Sequence, residues 1–184
     1  AILRLSMLDW IACGMAGRDE PVSRITREMA VEEGGTPHSS VFGGPRLPAR
    51  AAALVNGATS HALDYDDTHF AHIGHPSVAV FSAALAMAER VGADGPALQE
   101  AALIGMEASI RVGVWLGRDH YQVGFHQTGT AGAFGAAVAA GRLIGLDADG
   151  IEAVLGLTGT RAAGLKSQFG TMGKPYNAGI AAAT

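Results

Sequence analysis

The segment HALDYDDTHFAHIGH, residues 61–75, joins two long apolar stretches and is the most informative part of the chain. It contains four histidines and three aspartates, and no lysine or arginine lies between Arg50 and Arg90. The carboxylates therefore have no local cationic partner except imidazole. Groups that exchange protons near neutral pH are concentrated between two predicted helices, which is typical of an active-site loop.

Apolar residues recur at helical spacing on both sides of this loop and over nearly the whole chain. A buried helix is predicted from residue 48 into the loop, and a second one from Pro76 to about Val91. A longer helix should begin at Asp94 and end near Gly117, and residues 128–146 predict a helix of small side chains. A short strand is expected only at residues 39–42. We therefore predict one all-α domain over residues 1–184.

Some side chains are predicted to be buried in this domain. The second helix of the chain, with Asp19 as its cap and Pro21 in its first turn, should carry Val22, Ile25 and Met29 inward. The remaining large or sulfur-containing side chains that we expect in the core are Trp10, Cys13 and Trp115.

Composition excludes some functional classes. The 184 residues are 48% hydrophobic and carry a formal net charge of -4 without a basic block, which argues against a nucleic-acid partner. Residues 121–141 lack charged side chains, but their Gln, His, Thr and many Gly disfavour a membrane span. The single cysteine, Cys13, fits a reducing compartment, and no signal peptide is visible. We expect a cytoplasmic protein.

The loop admits three interpretations. The first is acid/base catalysis without a metal. The second is a Zn or Fe site, which the absence of an HExxH or comparable spacing disfavours. The third is a helix-terminating loop in which Asp64 or Asp67 caps backbone amides and the histidines are solvated. The candidate metal ligands of the second interpretation are Asp64, Asp66, Asp67, His69, His72 and His75.

Two later segments have the residues to bind an anionic substrate. His126 precedes a Gly-rich helix, whose free N–H groups can receive a carboxylate, although Thr128 can equally be an ordinary N-cap. Of the 13 basic residues only Lys166 and Lys174 are lysines, and both lie in the Gly-rich segment 164–179. A lysine near a helix start can clamp a carboxylate, or it can be a solvated surface residue.

Four segments together resemble the MmgE/PrpD family: NGATSHALDYDDT at 56–68, HPS at 75–77, GFHQT at 124–128 and GTMGKP at 170–175. The resemblance extends in order over essentially the whole chain. It implies a large all-helical domain with a smaller α+β lid, usually in a homodimer, and catalysis without metal or other cofactor. Family members include 2-methylcitrate dehydratase, cis-aconitate decarboxylase and iminodisuccinate epimerase.

The resemblance also implies site residues. In the family, the residues that match Asp64, Thr68, His75, His126 and Lys174 line one pocket. We expect Asp64 and His75 to form a proton-handling pair oriented by Thr68, and His126 to be the second acid/base. Lys174 should clamp a substrate carboxylate, and the substrate-binding residues should be Thr128, Lys174 and Asn177. Asn177 replaces a frequent family histidine, so a titratable base is missing there.

The expected function is a metal-independent lyase acting on a small di- or tricarboxylate. Dehydration of a 2-methylcitrate-like hydroxy acid by a carbon–oxygen lyase is the first expectation. The alternatives are an epimerase or decarboxylase of the same family, or a non-catalytic helical subunit.

The chain is well under half the family's length and lacks the lid, so we expect a partial large domain. An intact mass of the expressed protein well above 18.7 kDa would identify the chain as a segment of a complete enzyme. A mass of 18.7 kDa would favour the non-catalytic subunit instead.

Overall fold

The computed structural model describes residues 2–184 and confirms an all-α fold. Within these residues the strand predicted at 39–42 is not formed, because only Ser39 pairs there, in an isolated bridge to Leu47. Residues 166–168 form one 3-10 turn. The helices are α1 (Ile2–Gly17), α2 (Pro21–Glu33), α3 (Ala49–Ser60), α4 (Pro76–Val91), α5 (Gly95–Gln122), α6 (Gln127–Leu143), α7 (Ala148–Gly159) and α8 (Gly173–Ala182).

Four helices, α3, α4, α6 and α8, surround a core made mainly of alanine. Their small side chains let the backbones approach closely. A Cβ on Gly57 of α3 would lie 2.9 Å from the Cα of Gly179 in α8, so neither position has room for a larger side chain. This packing brings the start of α8 against the end of α3, where the histidine-rich loop begins.

The remaining helices cover this core. Helices α1 and α2 flank α3, α5 packs on α4 and α6, and α7 packs on α6. A second apolar cluster lies between α1, α4, α5 and α6 around Trp10 and Phe81, whose rings stack 5.8 Å apart. The indole N–H of Trp10 donates a hydrogen bond to Ser82 at 3.2 Å. The expected burial of Trp10 and Cys13 is therefore confirmed.

Three other burial predictions are wrong. Trp115 is 84% exposed because α5 turns Ser109 and Gly113 toward the core, and Trp115 lies on the outward side of the helix. Ile25 and Met29 face solvent because α2 turns Val22, Ser23, Thr26 and Ala30 toward the core.

Helix ends also differ in part from expectation. Helix α5 begins where predicted, and Asp94 caps it by accepting a hydrogen bond from the Ala97 amide at 2.9 Å. The helical backbone is interrupted at Gly117 as predicted, where φ is 70° and ψ is -176°, and a further helical segment follows directly, so that α5 as a whole extends to Gln122. The cap of α2 is Glu20 rather than Asp19, and its side chain makes no capping hydrogen bond. Within residues 2–184 none of the helices has the length and apolarity that a membrane span requires.

Gly113 supplies a specific test of the packing beneath the loop. A Cβ at this position would lie 2.0 Å from Nδ1 of His72, which is fully buried and has no room to move. We expect Gly113→Ala to lower the free energy of unfolding by about 2 kcal/mol through overpacking, measured by urea denaturation.

Gly156→Ala is the matched control. Gly156 is also helical, and nothing lies within 4 Å of an added Cβ. This substitution should stabilise the protein by roughly 0.5 to 1 kcal/mol through helix propensity. Equal effects of the two substitutions would contradict the tight contact between α5 and His72.

Candidate active site

The loop between α3 and α4 turns sharply at two residues in the left-handed region. Asp64 has φ 59° and Ile73 has φ 57°. Aspartate tolerates this conformation, whereas a β-branched residue is strained in it. Hydrogen bonds from the His69 amide to the Gly74 carbonyl at 3.0 Å and from the Ile73 amide to the His69 carbonyl at 2.8 Å close the second turn. The chain thereby returns to α3, and His75 comes to lie beside His61 with ring centroids 4.6 Å apart.

A buried carboxylate lies at the centre of the loop. Both oxygens of Asp66 are 2.9 Å from Nδ1 of His61, and one is 3.4 Å from Nδ1 of His75. The backbone carbonyl of Asp66 lies 3.0 Å from the same His75 nitrogen. The side chains of His61 and Asp66 are 0% exposed. The buried carboxylate of Asp66 thus contacts two imidazole rings.

This arrangement fixes the protons of both rings. A carboxylate and a carbonyl only accept hydrogen bonds, so both Nδ1 atoms carry a hydrogen and Nε2 is the reactive nitrogen. Burial alone would raise the pKa of Asp66, but His61 and His75 outweigh it and hold the pKa below its usual range. Burial would lower the pKa of His75, but Asp66 outweighs it and raises the pKa. His75 therefore keeps its proton to a higher pH than a free histidine.

Asp64 connects this pair to a lysine from the other end of the chain. Its Oδ1 lies 3.4 Å from Nε2 of His75 and contacts the ammonium group of Lys174. Lys174 is the second residue of α8, and its side chain is only 13% exposed. An acid/base pair and a shielded cation are therefore adjacent.

His126 lies on the other side of His61, with the two rings 5.8 Å apart and nearly parallel. Burial, followed by the nearby charges of His61 and Lys174, lowers the pKa of His126 to about 3. The ring is therefore neutral near pH 7. Asn177 lies 3.4 Å from its Nδ1, so the amide can donate there and leave the His126 hydrogen on Nε2.

The two predicted threonines differ in placement. Thr128 is buried, and its hydroxyl accepts a hydrogen bond from the His75 amide at 3.0 Å. It therefore ties the start of α6 to the start of α4, and His126 rather than Thr128 is the N-cap of α6. Thr68 is exposed, and among residues 2–184 its hydroxyl makes no hydrogen bond to Asp64 or His75.

Asp67 has the capping role that one interpretation of the loop gave to Asp64 or Asp67. It accepts hydrogen bonds from the Ser77 hydroxyl at 2.6 Å and the Ser77 amide at 3.3 Å, in the first turn of α4. Burial raises the pKa of Asp67, although the hydrogen bonds from Ser77 act in the opposite direction. Its amide donates to Asp9 of α1 at 2.9 Å, so Asp67 anchors the loop.

Of the six metal ligands considered from the sequence, the structure brings only Asp64, Asp66 and His75 together. His69 Nδ1 accepts from the His72 amide at 3.2 Å, and His72 lies beneath the loop against Gly113. Among the described residues His61 joins this group of three, and the donor atoms of the four side chains lie within 4.8 Å of one another. In that set Asp66 already receives two N–H groups and Asp64 receives the Lys174 ammonium. We therefore assign these groups to proton handling.

A cavity of about 350 Å³ opens at this cluster, between the start of α2, the loop and the start of α8. Its polar lining includes His61, Asp64 and Lys174. A second cavity of about 350 Å³ lies apart from the cluster and is lined mainly by alanine and other apolar residues. Only the first of these two is lined by imidazole, carboxylate and ammonium groups together, and its lining does not include His75 or His126.

Sequence reasoning missed the role of His61 and considered Asp66 only as a metal ligand. The signal was the isolation of Asp66 from lysine and arginine, which left imidazole as its only partner. The partner was not evident because residues five apart in an irregular loop have no fixed relative direction.

The sequence model of the MmgE/PrpD N-terminal domain matches residues 1–184. Cis-aconitate decarboxylase of Aspergillus terreus is 34% identical over 96% of this chain and 38% of its own length. The human cis-aconitate decarboxylase is 29% identical over 96% of this chain and 38% of its own length. A cis-aconitate decarboxylase-like protein of Aspergillus oryzae is 32% identical over 86% of this chain and 35% of its own length. The chain thus spans little more than a third of these relatives.

The buried His72 should make the free energy of unfolding depend on pH. Burial, with the nearby charges of His69 and His75, lowers the pKa of His72 to about 4. Below about pH 6.5 the unfolded chain takes up a proton that folded His72 refuses, so acidification destabilises the fold until the pH reaches the folded pKa. We expect this group to remove about 2 kcal/mol between about pH 7.5 and about pH 5.

Denaturant unfolding at the two pH values measures this loss. His72→Leu should reduce the pH-dependent loss by about 2 kcal/mol, because the buried titratable group is gone. His38→Leu controls for the removal of one histidine at a site away from the loop. His38 precedes Ser39, whose hydroxyl donates to the Ala86 carbonyl near the end of α4. An unchanged pH dependence in His72→Leu would show that His72 is not the group responsible.

Proposed function

Because this chain belongs to the MmgE/PrpD family, we propose that it supplies the proton-handling part of a lyase for small di- or tricarboxylates. The favoured reaction is decarboxylation of a cis-aconitate-like substrate. The observation that carries the proposal is one continuous contact from Lys174 through Asp64 to His75, in which Lys174 and Asp64 line a cavity and His75 lies behind Asp64. The names of the relatives support decarboxylation over the other reactions.

The decarboxylation of such a substrate determines which groups the site must supply. In cis-aconitate one carboxylate is attached to a CH₂ group beside a carbon–carbon double bond. Loss of CO₂ breaks the bond to that carboxylate, and its electron pair forms a new double bond. The former double bond then takes up a proton at its far carbon. The reaction needs one proton donor and cations for the remaining carboxylates, and it involves no net oxidation or reduction.

The residues of this chain match those requirements. His75 is the proton donor, because Asp66 raises its pKa and directs the acidic hydrogen to Nε2. Asp64 orients that nitrogen from the cavity wall. Lys174 is the cation for a substrate carboxylate, and its low exposure strengthens the attraction. Thr128 holds the His75 backbone in place.

Dehydration of a 2-methylcitrate-like hydroxy acid fits the site less well. That reaction needs a base for the α-proton and a second group that protonates the departing hydroxide. His126 is the candidate for the second group, but its pKa of about 3 leaves it uncharged near neutral pH. As a neutral ring, His126 donates only a hydrogen bond through Nε2.

Lys174 gives the sharpest test of this proposal. In the complete protein, Lys174→Met should lower kcat/KM for cis-aconitate by roughly thirtyfold, a loss of about 2 kcal/mol of transition-state stabilisation. The reason is the removal of a shielded cation from the cavity. Release of CO₂ and NMR of the product measure the reaction, and thermal unfolding should change little.

Lys166→Met is the matched control. Lys166 lies over the Tyr121 ring, 3.7 Å from its centroid, and donates to the Tyr121 carbonyl at 3.0 Å. Its loss should therefore affect stability more than kcat/KM. Full activity in Lys174→Met would mean that the carboxylate is held elsewhere. Turnover of a hydroxy acid without CO₂ release would replace decarboxylation by dehydration.

A further inference from the structure

Asp66 acts on His75 in the chemistry described so far, whereas its other buried partner, His61, has no role there. His61 is the first residue after α3, and its side chain is 0% exposed. Its Nδ1 faces both oxygens of Asp66, whereas its Nε2 is buried without a hydrogen-bond partner in the described residues. An orphaned ring nitrogen beside a desolvated carboxylate is costly for folding, and a pair of apolar residues would avoid that cost.

We propose that His61 is a positioning residue for His75, which it orients and tunes through the carboxylate that the two imidazoles share. This inference rests on the proposed function only where catalysis is measured. The orientation of His75 and the strength of its bond to Asp66 are properties of the folded protein in any case.

The geometry explains how one ring acts on the other. Nδ1 of His61 lies 2.9 Å from both carboxylate oxygens of Asp66, whereas Nδ1 of His75 lies 3.4 Å from one of them. The shorter contacts to His61 therefore weaken the stabilisation that Asp66 gives to the proton on His75. The edge of one ring also meets the face of the other, with a 74° angle between planes. This contact fixes the direction of the His75 ring.

Four other charged or titratable side chains lie around His75, from its own loop, from α8 and from the residue before α6. Asp64 of the same loop faces its Nε2, and Lys174 of α8 lies next to that carboxylate. His126, before α6, and His72, in the loop, are both held neutral by burial. None of these groups contacts Asp66 through a side chain, so the tuning that we propose is specific to His61.

Two substitutions of similar size separate this role from simple packing. His61→Leu removes the donor to Asp66 and leaves the carboxylate to His75 alone. The titration midpoint of His75, followed by NMR of its ¹³C-labelled ring, should rise by about half a unit or more. His61→Asn retains an N–H donor near the position of Nδ1 and should keep the midpoint close to that of the wild type.

The sign can also be checked in kinetics. A higher His75 pKa moves the limb of the kcat/KM profile that reports His75 to higher pH, whether the ring acts as an acid or as a base. If the protein proves inactive on the proposed substrates, the NMR midpoints still decide the role of His61. The two proposals can therefore fail separately.

Asp66→Asn should have the opposite effect on His75, since removal of the anion lowers the midpoint. Long-range ¹⁵N spectra of the wild type should show a hydrogen on Nδ1 of both His61 and His75, and this measurement needs no variant. An unprotonated Nδ1 on His61 would overturn the proposal. So would a folded His61→Leu protein, even one of reduced stability, in which the His75 midpoint is unchanged.

Discussion

The carboxylate of Asp66 is buried with no lysine or arginine beside it in the sequence, and the arrangement of the loop depends on stabilising it. The isolated Asp66 is stable inside the protein only if polar hydrogens surround it, and the sequence within reach offers imidazole alone. The chain must therefore bring His61 from the end of α3 and His75 from the start of α4 to the same point. The left-handed turns at Asp64 and Ile73 follow from that requirement. The strain at Ile73 is the cost of returning the loop to its origin.

Helix packing supplies the other half of the site. Alanine and glycine in the core of α3, α4, α6 and α8 let these helices approach closely enough for their ends to converge. The loop then lies among helix starts, since α4, α6 and α8 contribute His75, Thr128 and Lys174 within their first turns or just before them. Rigid helix termini thus position the chemistry with few long side chains. The high glycine content of the chain is in part a requirement of the site.

The sequence predicted the helices well where local signals were strong. Helix α4 begins at Pro76 and ends before Gly92 in the left-handed region, and both signals are readable without a structure. Gly117 gave a stop signal of the same kind and does interrupt the helical backbone, but the sequence did not predict the helical segment that follows it to Gln122. The exposure of Trp115 was not predicted, because the type of a side chain does not tell which side of a helix its neighbours cover. Motif resemblance brought His75, His126 and Lys174 to attention, whereas the pairing of His61 with Asp66 depends on loop dihedrals that no pattern encodes.

The contact of Asp64 with Lys174 joins residues 110 positions apart. Such a contact forms only after the intervening helices are in place, because closing a long chain segment costs entropy that local contacts do not repay. During synthesis the loop groups emerge long before their cation. Until α8 has formed, the loop carboxylates and imidazoles therefore lack the ammonium group that contacts Asp64 in the folded chain. The cluster is complete only when α8 docks against α3.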